Sequence, residues 1–319
     1  MKEKLALSME QVAKGVSTSP YQSKMENVKA FLIDMKFLVK GKVLVANVLP
    51  VFTGFWLALF FSGNTFSDNV LLFFLTMIGS TLVISGALML NNWYEVDLDQ
   101  KMERTQKRPT VTGSFSLTFV LWLGIITTII GITVMLFTTL EATIYSFLGW
   151  FVYVVLYTFW SKRKYTVNTI IGSVSGAFTP LIGWAAIDSA FHIVPIVLFL
   201  ILFIWQVPHT LAIAINRLED YRAAGVPMLP VKMGIPITKR VNFVYVLCLL
   251  PLPFLLLTSL GLIFVVVATI LNIVYLILAG KGLFTNDHIK WAKVNFVFSL
   301  NYLILLSFTM IILTSPIFG

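Results

Sequence analysis

The sequence has few of the residues that soluble proteins use for catalysis or for cross-linking. Among 319 residues it contains one cysteine, three histidines and 14 acidic residues. The single cysteine, Cys248, excludes an intrachain disulfide, and its apolar surroundings predict a small packing residue. Charged residues make up 12% of the chain and hydrophobic residues 58%. A soluble domain of this length could not bury so much apolar side chain, so we predict an integral membrane protein.

Apolar runs of about 20 residues, the length that crosses a bilayer, recur along the chain. We predict an all-α fold, a polytopic membrane bundle of nine transmembrane helices. The stretch 241–280 is too long for one span, and Thr258, Ser259 and Gly261 offer turn chemistry that divides it in two. The predicted spans are 43–62, 70–90, 117–137, 142–160, 169–187, 193–215, 241–258, 261–279 and 294–314.

The regions outside these spans predict how the chain sits in the membrane. The first 36 residues are polar and contain no apolar core of the signal-peptide type. We predict a polar cytoplasmic N-terminal arm, 1–36, and a single nine-helix membrane domain, 37–319. All 23 lysines and arginines lie before the first predicted span or in the loops after predicted spans two, four, six and eight. Because basic loops stay inside, the N-terminus is predicted to be cytoplasmic and the C-terminus outside, in a bacterial-type plasma membrane.

The net charge of +9 is therefore mainly a topology signal. Basic loops next to the membrane also predict contact with anionic membrane lipid. The charge is spread over several loops, so it does not indicate nucleic-acid binding, and we expect no nucleic-acid partner.

A group of acidic and amide side chains follows the second predicted span. Asn91, Glu95 and Asp99 are four residues apart, so on a continuing helix they drift only about 80° and form one oxygen-lined stripe. Oxygen ligands without cysteine or histidine suit Mg²⁺, which also takes phosphate oxygens. Arg104 and Arg108 are one helical turn apart and are predicted to bind diphosphate. The alternative is a solvated loop in which acids and bases pair.

A second, smaller group follows the sixth predicted span. Asn216 and Asp220 are again four residues apart. A polar patch at a helix C-terminus explains this pair as well as a metal site does. Both groups lie at the predicted cytoplasmic ends of their helices, which predicts that they share one ligand. The predicted active site is therefore on the cytoplasmic side.

These motifs resemble the intramembrane prenyltransferase superfamily of the UbiA type, over about residues 40–302. The resemblance rests on the acid stripe, the second acid pair and the nine predicted helices. The run Trp205-Gln206-Val207-Pro208-His209 is similar to the haem-modifying branch of that superfamily. Glu95 and Asn216 depart from its pattern, since aspartate is usual at both positions. Further matching residues are Asn92, Lys101, Met102, Glu103, Thr105, Tyr157, Thr158, Lys162, Arg163, Gly172, Gly176, Pro180 and Gly183.

The resemblance implies a reaction in which farnesyl diphosphate alkylates a vinyl group of protohaem IX, water adds, and diphosphate leaves. It implies Mg²⁺ as cofactor and a haem A synthase as a candidate partner. The resemblance implies that Asn91, Glu95 and Asp99 bind the Mg²⁺ from one side and Asn216 and Asp220 from the other. Asn91, Glu95, Asp99 and Asp220 would be catalytic. The residues that would contact diphosphate are Arg104, Arg108, Lys162 and Arg163. A cation formed from farnesyl would need a dry, apolar cavity so that water does not quench it early.

Three alternatives remain open at the level of sequence. His209 is a candidate haem contact, and the alternative is a helix-packing histidine. A quinone-pathway prenyltransferase of the same fold would differ only in its acceptor. A secondary transporter would use the acids for ion coupling, but transporter acids usually lie near the middle of the bilayer, which these do not.

Overall fold

The computed structural model describes residues 20–315, and within that range the chain is helical with no β-strand. The predicted arm therefore lies partly outside the described residues, from 1 to 19, and its remainder begins a helix. The helices are α1 Pro20–Leu38, α2 Gly41–Ser62, α3 Val70–Tyr94, α4 Val96–Asp99, α5 Pro109–Thr112, α6 Leu117–Leu136, α7 Leu140–Phe151, α8 Asn168–Ala185, α9 Ile193–Asn216, α10 Leu218–Ala223, α11 Leu229–Cys248, α12 Leu257–Phe284 and α13 His288–Leu313. A π-helix, Val152–Ser161, continues α7.

Seven helical stretches in the described part are long and apolar enough to cross a membrane. One of them, Leu229–Phe284, has 56 residues and contains the seventh and eighth predicted spans. The 18-residue helix α8, at the fifth predicted span, is not among the seven. Each of the nine predicted spans nevertheless overlaps a helix. The outward faces carry large apolar side chains such as Leu71, Ile129 and Leu262, as expected for surfaces that meet lipid.

The stretch 241–280 is broken in two places. The chain leaves α11 at Cys248 and forms a short 3₁₀-helix, Leu252–Leu256, before α12 begins. This first break falls at Pro251 and Pro253, because a proline has no amide hydrogen to donate and its ring clashes with the preceding turn. The second break is at Gly261, whose φ of 77° and ψ of 176° are not helical, so two helices meet there within the range of α12. The turn predicted at 258–261 therefore contains a real break, and the 3₁₀-helix is a further one that was not predicted.

Small residues let α2 and α8 approach closely. A β-carbon added at Gly54 would lie 2.1 Å from the carbonyl oxygen of Pro180, and one at Gly183 would lie 1.9 Å from that of Val51. Close backbone approach of this kind is a common mode of helix packing in membranes, where apolar burial gives little drive. The two helices thereby form a rigid wall, and α3 and α9 flank it.

Candidate active site

The predicted acid stripe is present because the helix barely breaks at the end of α3. The Glu95 amide donates to the Asn91 carbonyl at 3.0 Å, and the Asp99 amide donates to the Glu95 carbonyl at 2.8 Å. These i to i+4 bonds carry the helical spacing through to α4. Asn91, Glu95 and Asp99 are each at most 2% exposed. Two carboxylates are thus held out of solvent on one side of the chain.

Basic side chains from other parts of the chain neutralise the buried Glu95. Lys162, just beyond the π-helix, bonds to the Glu95 carboxylate at 2.6 Å. Asn91 donates to Glu95 Oε1 at 2.7 Å and to the Thr158 hydroxyl at 2.9 Å. Burial alone would raise the pKa of Glu95, but the nearby Lys162 and Lys40 lower it. Glu95 is therefore held as a carboxylate.

Asp99 is held from one side only. Arg108 forms an ion pair with Asp99 Oδ2, and the Thr105 hydroxyl donates to the Asp99 carbonyl at 2.8 Å. The other carboxylate oxygen, Oδ1, is buried and has no hydrogen-bond partner in the described part of the chain. A buried acceptor without a partner is costly. This oxygen therefore points to a ligand outside the chain.

Two of the four predicted diphosphate contacts lie apart from the buried acids. Arg163 binds Asp97 with two hydrogen bonds of 2.8 Å, and its guanidinium lies 4.6 Å from the Tyr94 ring centre. Arg104 is exposed, just after Glu103. Lys162 and Arg108, in contrast, touch the buried acids directly. The structure thus separates an inner basic pair from an outer one.

Lys40 also belongs to this site. From sequence alone, this lysine was predicted only to be one of the basic residues that orient the chain in the membrane. It lies between α1 and α2 with φ of 48°, the only non-glycine residue of positive φ in the described part. Its ammonium donates to the Asn91 amide oxygen. Burial and the neighbouring Arg108 hold the pKa of Lys40 well below its usual range. No spacing in the sequence relates Lys40 to Asn91, which is 51 residues away.

The second predicted group is more open than the first. Asn216 ends α9 and Asp220 lies in α10; both are partly buried. The Arg217 guanidinium is 4.0 Å from Asp220 Oδ2, too far for a hydrogen bond, and this oxygen has no partner among the residues described. Asn216 and Asp220 line a cleft of about 510 Å³ together with Glu103, Asp287 and His288.

The two groups lie at the same end of the bundle. Leu98 and Met102, which flank Asp99, pack in one apolar cluster with Ala214 and Tyr221, which flank Asn216 and Asp220. Within the described residues no three acidic, histidine or cysteine side chains are close enough to form a metal site by themselves. The unpartnered oxygens of Asp99 and Asp220 and the amide oxygens nearby are the donors that fit a hard divalent cation.

His209 is on α9 and faces α13. Its Nδ1 is 2.7 Å from the Ser299 hydroxyl, and its ring stacks on Trp205 at 4.9 Å. Phe296 lies against the ring at 5.1 Å. These contacts are those expected of a packing histidine. The haem contact stays a prediction.

A separate cavity of about 100 Å³ lies among α2, α3, α7, α8 and α9. Its wall is not wholly apolar, because hydroxyl, amide and indole groups alternate with valine, leucine and isoleucine. Its polar lining residues are Asn47, Ser80, Ser146, Trp150, Tyr153, Ser175, Thr179 and Gln206.

Comparison with known proteins identifies the class. The profile of the UbiA prenyltransferase family matches residues 47–302. The chain belongs to the UbiA prenyltransferase family. Its fold is shared with a digeranylgeranylglyceryl phosphate synthase (TM-score 0.68, 17% identity, 89% of this chain and 98% of the other). It is also shared with a UbiA homologue from Archaeoglobus fulgidus solved with GPP and Mg²⁺ (TM-score 0.65, 14% identity, 87% and 99%).

Curated relatives narrow the class to one reaction type. The chain is 53% identical, over 93% of its length and 95% of the relative's, to a protohaem IX farnesyltransferase of Oceanobacillus iheyensis. It is 50% identical to the protohaem IX farnesyltransferase of Geobacillus thermodenitrificans, over 92% of this chain and 95% of that protein.

Proposed function

We propose that this chain transfers a farnesyl group from farnesyl diphosphate to a vinyl group of protohaem IX, giving haem O and diphosphate. The observation that carries this proposal is the sequence identity of 50–53% to protohaem IX farnesyltransferases over more than 90% of the chain. The buried acid and base site at the end of α3 supports it, because a chain of this family needs a place to bind a diphosphate.

The metal would be held by the oxygens of Asn91, Glu95 and Asp99 on one side and of Asn216 and Asp220 on the other. Bound there, Mg²⁺ would neutralise charge on the departing diphosphate. The unpartnered oxygens of Asp99 and Asp220 support this ligand set. The same cofactor was present in the Archaeoglobus fulgidus structure with GPP.

Basic side chains would bind the diphosphate oxygens together with the metal. Lys162 and Arg108 touch the carboxylates that would hold the metal, so diphosphate oxygens on that metal come within reach of both. Positive charge placed where negative charge develops lowers the barrier to breaking the allylic C–O bond. Arg104 and Arg163 lie farther out, where they would attract the diphosphate before it reaches the site.

The topology proposed with this function has nine crossing helices in one domain, 37–319, preceded by the arm 1–36. Seven stretches of membrane-crossing length and composition support it, because one of them holds two spans and α8 supplies the ninth. The N-terminus and active site would face the cytoplasm, and the C-terminus the outside, in a bacterial-type plasma membrane. A haem A synthase stays a predicted partner for the product.

A purified-enzyme assay tests the proposal. Labelled farnesyl diphosphate and Mg²⁺ are supplied with either protohaem IX or a hydroxybenzoate, and labelled products are separated. We expect label in the haem fraction only, and about 10²–10³-fold slower labelling with the Asp99→Asn enzyme. Label in the hydroxybenzoate would assign the chain to the quinone-pathway class, and uptake of an ion without label transfer would support a transporter.

A further inference from the structure

The cavity of about 100 Å³ has room for several water molecules, since each occupies about 30 Å³ in the liquid. Most hydroxyl groups in its wall donate back to their own helices. The Ser175 hydroxyl donates to the Gly172 carbonyl at 2.9 Å, and Thr179 donates to the Gly176 carbonyl at 2.6 Å. The oxygen lone pairs of these hydroxyls therefore remain free to accept hydrogen bonds from a molecule in the cavity.

Trp150 and Gln206 are among the side chains in this wall that can donate to a molecule in the cavity. The Trp150 indole nitrogen is buried and has no partner in the part of the chain that the structure describes. The Gln206 carboxamide also lines the cavity, and no described residue hydrogen-bonds it. Polar groups buried within a membrane protein need partners. A cavity that offers both donors and acceptors to a small molecule is one that holds water.

The space for the Gln206 amide is made by one glycine. A β-carbon added at Gly176 would lie 2.2 Å from Gln206 Oε1. No side chain larger than hydrogen fits there without moving the amide. The Gln206 oxygen thus lies directly against α8 at Gly176.

The cavity adjoins the acid end of the bundle through the π-helix. Tyr153 lines the cavity, and its ring lies 5.5 Å from that of Tyr157. Tyr157 in turn lies 5.4 Å below the Lys162 ammonium, which is bonded to Glu95. A short series of contacts thus connects the cavity to the acid site.

We infer that Gln206 and Trp150 hold the water molecule that is added during the reaction, which rests on the proposed farnesyl transfer. The allylic C–O bond breaks with its electron pair going to diphosphate, and the allylic carbon bonds to the terminal vinyl carbon. The positive charge then lies on the vinyl carbon next to the porphyrin ring. The oxygen of the held water bonds to that carbon, and its proton goes to the released diphosphate.

The role assigned to each residue follows from its hydrogen-bonding groups. The Trp150 N–H donates to one lone pair of the water, and Gln206 Oε1 accepts one of its hydrogens. The remaining lone pair is then free to attack the cation. A cation without this water would instead lose a proton to give an alkene that is lighter by one water.

The test is product composition rather than rate. Purified wild type, Gln206→Leu, Trp150→Phe and the control Asn301→Leu are given farnesyl diphosphate, Mg²⁺ and protohaem IX, and the products are analysed by mass spectrometry. Asn301 is an exposed amide on α13, so its replacement controls for the loss of a carboxamide in detergent. We expect the ratio of hydroxylated to dehydrated product to fall about tenfold or more in both cavity variants, because the water is no longer positioned.

Hydroxylated product at the wild-type ratio in both cavity variants would overturn the inference. If they form no farnesylated haem, a cryo-EM structure of the wild type decides the question. An ordered water bonded to Gln206 and Trp150 would support the site, and a cavity without one would overturn it. No farnesylated haem from the wild type would overturn the proposed function instead, and the same structure would still decide on the water.

Discussion

The two acid groups at the end of the bundle differ in how they are held. Glu95 and Asp99 are at most 2% exposed and each contacts a base from elsewhere in the chain. Asp220 is 16% exposed and its nearest base, Arg217, is 4.0 Å away across three residues. The first group is therefore a preformed site that crosses several helices, and the second is an open wall of a cleft.

Because of this difference, substitutions in the two groups should affect stability and activity to different degrees. Buried ion pairs contribute little net stability, but removing one partner strands a charge. The first group should therefore respond to substitution in both stability and activity, whereas the second should respond mainly in activity. Four substitutions test that contrast, in order of decreasing effect.

Lys162→Met should have the largest effect on stability. It leaves the Glu95 carboxylate buried without its closest cation, and we expect a loss of about 3–5 kcal/mol. Thermal unfolding in detergent measures it. The double variant Glu95→Gln/Lys162→Met removes both charges and should recover most of the loss. A double variant no more stable than Lys162→Met would contradict the assigned pairing.

Asp99→Asn should lower turnover by about 10²–10³-fold, the usual cost of removing one group that stabilises transition-state charge. The assay is release of diphosphate by purified enzyme. Asp97→Asn is the matched control, because Asp97 is two residues away, 55% exposed and turned toward Arg163. Equal losses in the two variants would show that burial of Asp99 is unrelated to its role.

Asp220→Asn should lower turnover by about tenfold, less than Asp99→Asn, because the open cleft lets water replace the lost charge. Its thermal unfolding should match the wild type. Glu219→Gln serves as the control, since Glu219 is 78% exposed and, among the residues described, pairs with Arg222 alone. A large drop in unfolding temperature for Asp220→Asn would contradict the open character of the second group.

The outer pair of Asp97 and Arg163 should have the smallest effect. The hydrogen bonds from Arg163 lower the pKa of Asp97, so the pair stabilises the fold above the ordinary aspartate pKa and loses that stability as pH falls through the lowered one. Solvent screening limits the contribution to less than about 1 kcal/mol. Unfolding of wild type and Asp97→Asn at neutral and acidic pH should converge in acid; a difference that grows in acid would refute this.

Much of the fold could be predicted because it depends on periodicity and composition. The positions of the helices and the stripe of Asn91, Glu95 and Asp99 follow from local spacing, and the backbone bonds at 91–99 retain that spacing. The break at Gly261 lies within the predicted turn, because glycine takes a positive φ without steric cost. The additional break before α12 was not predicted, although Pro251 and Pro253 are its local signal.

The partners of the acids could not be predicted from sequence. Lys40 meets Asn91 across 51 residues, and Lys162 meets Glu95 across 67. Both contacts depend on how α2, α3 and the π-helix pack, which no local pattern encodes. The same holds for the cavity at Gln206, whose shape is set by Gly176 on a different helix.

The π-helix Val152–Ser161 limits which insertions and deletions this chain can accept during evolution. Its wider turns, with the Lys162 amide bonded to the Tyr157 carbonyl five residues back at 2.9 Å, set the rotation at which Thr158 and Lys162 face α3. Deleting one residue upstream would turn everything after it by about 100°. Thr158 and Lys162 would then face away from Asn91 and Glu95. Insertions and deletions in this stretch are thus barred by chemistry at its end, even where the thickness of the bilayer would tolerate them.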